Sequence, residues 1–179
     1  MLLFAIACCN YSKCCVLSLA YFPFVDIIKF IFYFVVMKYP IVHAERDLRF
    51  HLGLKNLLTQ NDEFQFSDHC CYLDAALQSL DQFKPKLLIT GHHLYDERYV
   101  IKTFCEFRKA CLPGLKIIVL TRHNDLDYML DALINGVDGY LTKDASDEEM
   151  LNCILSVARG GTHLSIKQQV PNRNSGYYL

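Results

Sequence analysis

The feature that most constrains the fold is a regular alternation, from Lys38 onward, of short apolar runs with stretches of helical periodicity. Short, uniformly apolar runs bounded by turn residues are typical of strands that are covered on both faces of a parallel sheet. Five strands and five helices alternate over about 120 residues, the size of one doubly wound domain. The sequence therefore predicts an α/β fold, a doubly wound five-stranded parallel sheet with helices on both faces.

The bounds of these elements follow from periodicity and from turn signals. The predicted strands are residues 39–43, 64–67, 87–90, 117–121 and 139–142, and the predicted helices are residues 47–59, 73–83, 97–111, 126–134 and 146–160. Asn135 and Gly136 predict a left-handed cap after the fourth helix. Ser146 and Glu149 predict a capping box that opens the fifth helix.

Residues 1–37 differ from the rest in being strongly apolar, and their only charges are Lys13, Asp26 and Lys29. Within them, residues 16–36 form a nearly continuous apolar run long enough to span a membrane, for which roughly 20 residues are required. A charge in the middle of a bilayer is unfavourable by a few kcal/mol, so two charges in this run make it a poor anchor.

Two interpretations of this segment stay open: a weak membrane anchor, or sequence upstream of a true start at Met37. We favour the second, because the residues that follow Met37 have the pattern of a first strand. The predicted organisation is an apolar extension over residues 1–37, one domain over residues 38–164, and a disordered tail over residues 165–179.

Charge and cysteine usage exclude some classes of protein. The net charge of -1 argues against a broad basic surface for nucleic acid. The nine cysteines show no Cys-x-x-Cys spacing, and a metal site at His69, Cys70 and Cys71 is disfavoured because neighbouring residues of an extended chain point to opposite sides. Thiols without regular spacing are typical of a reducing compartment, so we expect a cytoplasmic protein.

Polar residues follow the predicted strands at the edge where function gathers in an open α/β sheet. In chain order they are Glu45 with Arg46, then Gly91 with two histidines, then Thr121 and Lys143. A hydroxyl and an ammonium that converge on one point suit a phosphoryl group, and a carboxylate opposite them suits Mg²⁺.

Three stretches together carry a resemblance to a known family: residues 115–121, residues 132–146 and residues 158–165. Residues 38–164 resemble the receiver domain of a two-component response regulator of the LuxR/NarL type. The resemblance implies a flavodoxin-like receiver fold and a place in signal transduction and transcription regulation. It also implies that Thr121 is the hydroxyl switch residue, Lys143 the phosphate-contacting lysine and Tyr140 the rotating aromatic.

The chain departs from this family at the residues that perform phosphoryl transfer. Gly91 stands where the resemblance places the phosphate-accepting aspartate, and Arg46 replaces one of two acidic residues, which leaves Glu45 as a weak Mg²⁺ ligand. We therefore expect no phosphoacceptor, no enzymatic activity and no required cofactor. The alternative acceptors are Asp96 and the loop histidines His92 and His93, which we expect to be exposed and inert.

Three functional hypotheses remain. The first is a degenerate receiver that acts by protein–protein contact, pairing with itself or with another response regulator through its fourth helix, fifth strand and fifth helix. That surface includes Leu126, Met129, Leu130, Tyr140 and Met150, of which several are expected to belong to the core. The second is an atypical phosphoacceptor that uses Mg²⁺, and the third is a remnant without function.

The partners expected from these hypotheses differ from those of an intact regulator. LuxR/NarL-type regulators carry a helix-turn-helix domain after the receiver, whereas no helical pair follows residue 165 here, as in a truncated product. Contact with DNA is therefore expected only through a partner. The missing acceptor argues against a sensor kinase as a partner.

Ordinary structural roles compete with the site roles. Lys143 could be a surface lysine, Thr121 a residue that merely ends a strand, and Glu45 with Arg46 a charge pair that stabilises a helix start. A surface lysine can be replaced by alanine at a cost within about 0.5 kcal/mol. A larger loss would indicate that Lys143 is paired with a buried carboxylate, for which Glu45 is the candidate.

Overall fold

The computed structural model describes residues 38–165 of the 179-residue chain. The predictions for residues 1–37, including an anchor at residues 16–36, lie outside the described residues, as does nearly all of the tail predicted to be disordered. Between residues 38 and 165 there is no helix whose length and apolar character would let it cross a membrane.

The described residues form a parallel sheet flanked by helices. Its strands are β1 (Tyr39–Ala44), β2 (Phe64–Cys70), β3 (Leu87–Thr90), β4 (Lys116–Thr121), β5 (Gly139–Thr142) and β6 (His163–Leu164). They lie in the order β2-β1-β3-β4-β5-β6, and every neighbouring pair is parallel. The strand order reverses at β1, which has β2 on one side and β3 on the other, and ligands of such sheets bind where the order reverses.

Five helices connect these strands: α1 (Leu48–Thr59), α2 (Leu73–Phe83), α3 (Val100–Cys111), α4 (Leu126–Asn135) and α5 (Asp147–Ala158). Alternate strand residues point to opposite faces, so each strand contributes to two apolar layers. In β4, for example, Ile117 and Val119 pack with α2, α3 and α4, whereas Ile118 and Leu120 pack with α1 and α5. The predicted doubly wound fold, with helices on both faces, is confirmed.

Both predicted helix caps are present. Gly136 ends α4 with a φ of 91°, in the left-handed region that favours glycine, and its amide donates to the carbonyls of Ala132 and Leu133. The Ser146 hydroxyl accepts a hydrogen bond of 3.2 Å from the amide of Glu149 at the start of α5. These local signals fix the end of α4 and the start of α5.

The structure differs from the sequence prediction at a few boundaries. β2 runs on to Cys70, and the described residues contain a sixth strand, β6, which pairs with β5. Within α1, Leu54 and Leu58 are buried, whereas Leu48 and Leu52 are exposed. Within the described residues the cysteines are free thiols.

Candidate functional site

A cleft of about 110 Å³ opens at the carboxyl ends of the central strands. Its lining residues come from the loops after β1, β3, β4 and β5: Glu45, Arg46, Asp47, Gly91, His92, His93, Leu120, Thr121, Arg122, His123 and Lys143. Parallel pairing in register places these loops side by side, with Ala44 opposite Thr90 and Thr121 opposite Thr142. The structure therefore brings together the strand-end residues that the sequence predicted.

The centre of the cleft is an ion pair between Lys143 and Glu45. The Lys143 ammonium lies 2.5 Å from Glu45 Oε2, and the side chains are 11% and 3% exposed. The other carboxylate oxygen, Oε1, accepts a hydrogen bond of 2.8 Å from the Asp47 amide, and the ammonium lies 4.2 Å from the centroid of the Phe50 ring. Burial lowers the pKa of Lys143, and the hydrogen bond to Glu45 opposes that shift.

This pair corrects two of the structural alternatives. Lys143 is not a surface lysine, and Glu45 is not an exposed partner of Arg46, which itself lies at the surface. Each member of the pair needs the other, because an isolated buried charge is costly.

Gly91 lies directly beside this pair. Its amide donates to the Ala44 carbonyl at 3.2 Å, and a Cβ placed on it would lie 3.0 Å from Glu45 Oε2. An aspartate here would therefore project toward Glu45, at the place where the resemblance puts the acceptor. Glu45 supplies the negative charge that neutralises Lys143 in this cleft.

The donor set does not fit Mg²⁺, which prefers several oxygen ligands in octahedral geometry. Both oxygens of Glu45 are already engaged, and Asp47 accepts from the first amides of α1 and pairs with Arg122 at 2.6 Å. Arg46 adds a cation where a second carboxylate is needed. Over residues 38–165, His, Cys, Asp and Glu form no group of three or more that could hold a metal ion.

Thr121 is buried at the end of β4, and its hydroxyl oxygen accepts a hydrogen bond of 3.1 Å from the His123 amide. A hydroxyl that lines the cleft while accepting from its own loop can still donate its proton to a ligand. Thr121 thus holds the loop after β4 in place, which both the predicted switch role and the plain strand-end role allow.

Tyr140 is fully buried beneath the cleft. Its hydroxyl donates to the His123 carbonyl at 3.3 Å, so the 3.3 Å contact with His92 Nε2 is one in which the imidazole donates. Burial raises the pKa of Tyr140, and burial lowers the pKa of His92 to about 4. A neutral imidazole and a neutral phenol therefore hold the aromatic ring inside the fold.

The alternative acceptors occupy different environments. His92 is buried, contrary to the expectation of an exposed loop residue, whereas His93 is half-buried at the mouth of the cleft. Asp96 accepts the amide proton of Leu73 at 2.9 and 3.0 Å, and so caps the start of α2; it does not line the cleft.

A cluster of three histidines next to the cleft was not predicted from the sequence. His43 Nδ1 lies 2.8 Å from His51 Nδ1, His69 stacks on His51 at 3.7 Å between ring centroids, and His69 Nε2 donates to the Glu45 carbonyl at 2.8 Å. These residues are far apart in the sequence. Alternation alone would not have found the cluster, because a register shift in β2 after Phe66 places His69 opposite His43.

His123 is a second residue that sequence reasoning missed. It lies two positions after Thr121, its ring stacks on Tyr128 at 4.2 Å, and its Nε2 lies 3.1 Å from His93 Nε2. The same strand-end argument that selected Thr121 could have found it, because the loop after β4 faces the loop after β3.

Known proteins with similar sequences are response regulators. The chain is 27% identical over 127 residues to the oxygen regulatory protein NreC of Staphylococcus carnosus, which covers 71% of this chain and 58% of that protein. It is 35% identical over 113 residues to the transcriptional regulatory protein MctR of Rhizobium johnstonii, which covers 63% and 52%. The chain thus spans about half the length of the curated relatives it matches, and no protein-family model matches it.

Solved structures with a similar fold are receiver domains and regulators that contain them. The signal receiver domain of the response regulator NarL from Mycobacterium tuberculosis aligns with a TM-score of 0.63 and 19% identity, over 69% of this chain and 98% of that one. A LuxR-family DNA-binding response regulator from Staphylococcus aureus gives a TM-score of 0.61 and 22% identity, over 67% and 98%. Residues 38–165 thus have the fold of a receiver domain, and their sequence is similar to those of known regulatory proteins of the kind that the resemblance implied.

Proposed function

We propose that this domain is a degenerate receiver that acts by protein–protein contact and without phosphorylation of an aspartate. The observation that carries the proposal is the Glu45–Lys143 ion pair beside Gly91. In this arrangement Lys143 is neutralised by a carboxylate from β1, and the position of the acceptor has no side chain. A phosphoryl group would have to displace Glu45 to reach the ammonium.

The same arrangement argues against a catalytic role and against a Mg²⁺ requirement. Phosphoryl transfer needs a nucleophile within a few Å of the stabilising cation, and charge stabilisation by positioned groups does most of the remaining work. Here the cation is present but the aspartate is replaced, and the carboxylates are engaged with Lys143 and Arg122. We therefore propose a binding module with no enzymatic activity.

A phosphoryl mimic tests this proposal directly. Beryllofluoride with Mg²⁺ is expected to leave the amide NMR spectrum of the full chain unchanged at Thr121, Tyr140 and Lys143, because no carboxylate at position 91 can hold it. A receiver domain that carries the aspartate serves as the positive control. Shifts focused on these three residues would contradict the proposal.

Labelled acetyl phosphate distinguishes the atypical-acceptor alternative. No incorporation is expected in the parent chain. Label that disappears in His93→Ala but persists in Asp96→Asn would instead identify a histidine of the cleft as an acceptor, since Asp96 caps α2 away from the cleft. The variant Asp96→Asn retains oxygen for the Leu73 amide and so controls for a loss of structure.

The contact surface of the proposal is the exposed side of α4. Leu126, Leu130 and Ile134 recur every four residues, so they share one helix face, and they are 54%, 44% and 84% exposed. Tyr140 and Met150, which the sequence assigned to the same surface, are buried and belong to the core. The apolar surface that remains available is therefore a stripe along α4.

We propose that this α4 stripe pairs with a second copy of the chain or with another response regulator. Among the solved structures of similar fold is one of RcsB dimers on DNA, so pairing occurs in proteins of this fold. Contact of this chain with DNA is proposed to occur through such a partner. The transcriptional role of the relatives is likewise a proposal for this chain.

Replacing Ile134 by aspartate is expected to shift self-association of the full chain at least tenfold toward monomer in sedimentation analysis. The physical reason is that a desolvated charge in an apolar contact is unfavourable by more than 1.4 kcal/mol, the equivalent of a factor of ten. The matched control is Leu52→Asp on α1, where the side chain is 55% exposed. Dissociation by the control alone would place the contact on α1, and a monomeric parent that also fails to bind another response regulator would refute the pairing.

A further inference from the structure

Two histidines face each other across the mouth of the cleft. His93 comes from the loop between β3 and α3, and His123 from the loop between β4 and α4. Their Nε2 atoms are 3.1 Å apart, and both rings are half-buried, so solvent reaches them. The contact between these two imidazoles lies apart from the Glu45–Lys143 ion pair, which is deeper in the cleft.

The environment of His93 sets its proton positions. His93 Nδ1 is hydrogen-bonded to the carbonyl oxygen of Arg98, which can only accept, so the proton of a neutral His93 is on Nδ1. The Nε2 lone pair of His93 is therefore directed at His123. A backbone carbonyl that fixes the Nδ1 proton in this way is the usual outer partner of a metal-binding histidine.

The second ring is also held in place. His123 stacks on Tyr128 with an interplanar angle of 20°, and its amide donates to Thr121. Its Nε2 proton currently fills the space between the two imidazoles. If the proton moves to Nδ1, both Nε2 lone pairs face the gap between the rings, and a tilt of the rings would direct both at one ion beside that gap.

The distance between the two nitrogens fits a shared metal ion. Nitrogen ligands lie about 2.0–2.1 Å from Zn²⁺, so two of them are roughly 3.4 Å apart at a tetrahedral angle and roughly 2.9 Å apart at a right angle. The separation of 3.1 Å between His93 and His123 lies between these values. The nitrogens can keep their separation, and a tilt of the imidazole rings brings the ion off the line between them.

We propose that His93 and His123 form a two-histidine binding site for a divalent transition metal ion, with water in the remaining coordination positions. The ion class follows from the donors, because imidazole nitrogen suits Cu²⁺, Ni²⁺ and Zn²⁺, whereas Mg²⁺ prefers oxygen. A bound ion would join the loop after β3 to the loop after β4 across the cleft. This site does not depend on whether the domain is phosphorylated.

Titration of the full chain with Zn²⁺ and Cu²⁺, after accessible thiols have been alkylated, tests the site. We expect calorimetry to show one equivalent of metal that depends on the two histidines, with Cu²⁺ bound more tightly than Zn²⁺ and no heat from Mg²⁺. His93→Ala and His123→Ala are each expected to lower the affinity at least tenfold. The control is His163→Ala. His163 lies in the edge strand β6 and pairs with Gly139 at the start of β5, away from the carboxyl ends of the strands that form the cleft.

A second measurement uses the unaltered chain, so its result does not depend on whether the variants fold. In imidazole ¹⁵N NMR, the Nε2 signals of His93 and His123 are expected to shift first as Zn²⁺ is added, ahead of those of His69 and His163. Electron paramagnetic resonance of bound Cu²⁺ should show two nitrogen ligands. Equal affinity in the parent and both histidine variants, or first shifts at other histidines, would overturn the proposal.

Discussion

Replacing Lys143 by methionine is expected to lower the free energy of unfolding by about 3 kcal/mol, because it leaves the buried Glu45 carboxylate without its cation. Methionine preserves most of the apolar length of lysine, so the loss reports on charge more than on packing. Glu45→Gln should also destabilise the fold, since it leaves the ammonium beside a neutral amide. Chemical denaturation of each variant measures both effects.

A double-mutant cycle separates the pair from its surroundings. The combination of Glu45→Gln with Lys143→Met is expected to be less destabilised than the sum of the single changes, because no unpaired charge remains. Lys102→Met serves as the surface control. Lys102 and Glu106 are an exposed pair at 3.9 Å, for which a change within about 0.5 kcal/mol is expected. A similarly small effect at Lys143 would show that its charge is solvated.

Acidification from pH 7 to pH 5 is expected to lower the free energy of unfolding by roughly 3 kcal/mol through His43 and His51. Burial is the main cause that holds the pKa of His43 well below its usual range and lowers the pKa of His51 to about 4. Lys55 and Lys143 are the cations that face them, and together with the neighbouring imidazole of His69 they oppose protonation.

The sign follows from proton uptake in the two states. Below the unfolded pKa of about 6.5 the unfolded chain binds protons at both histidines, while the folded chain excludes them, so stability falls as the pH falls. Once the pH passes below the folded pKa of His51, its further contribution ends. Urea denaturation at intervals between pH 7.5 and pH 4.5 measures the slope.

His51→Gln provides the matched variant for this pH effect. Glutamine keeps a polar group near His43 Nδ1 but does not titrate, so the variant should lose roughly a third of the slope between pH 6.5 and pH 5, because His43 and His92 still resist protonation in the folded chain. A stability that stays constant from pH 7 to pH 5 in the parent chain would mean that water reaches the cluster and that the imidazoles protonate in the folded state.

The local signals of the sequence predicted most of the fold. The short apolar strands, the Gly136 cap and the Ser146 cap all lie where they were expected, because each depends on neighbouring residues alone. The sixth strand was not predicted, because His163 and Leu164 form a strand only by pairing with β5. In α1 the periodicity predicted a helix, and packing decides that Leu54 and Leu58 are buried while Leu48 and Leu52 are exposed.

The site was predicted in part. The strand-end rule placed Glu45, Gly91, Thr121 and Lys143 in one cleft, and they line it together. The sequence named Glu45 as the candidate partner of Lys143 but left a solvated lysine as an alternative, and only the burial of both side chains decides for the pair. Whether Thr121 and Tyr140 still sense a phosphoryl group stays a prediction for the NMR experiment.

By itself, the sequence determined the order of the strands and helices, the carboxyl-end position of the site, and the absence of a carboxylate at position 91. Tertiary structure alone decided which distant side chains meet: the histidines of β1, α1 and β2, the pair at the mouth of the cleft, and the buried Glu45–Lys143 bond. The physical reason is that helices and strands depend on the periodic spacing of residues that are close in the sequence. Contacts between charges and imidazoles depend on distances across the sheet, which no local pattern encodes.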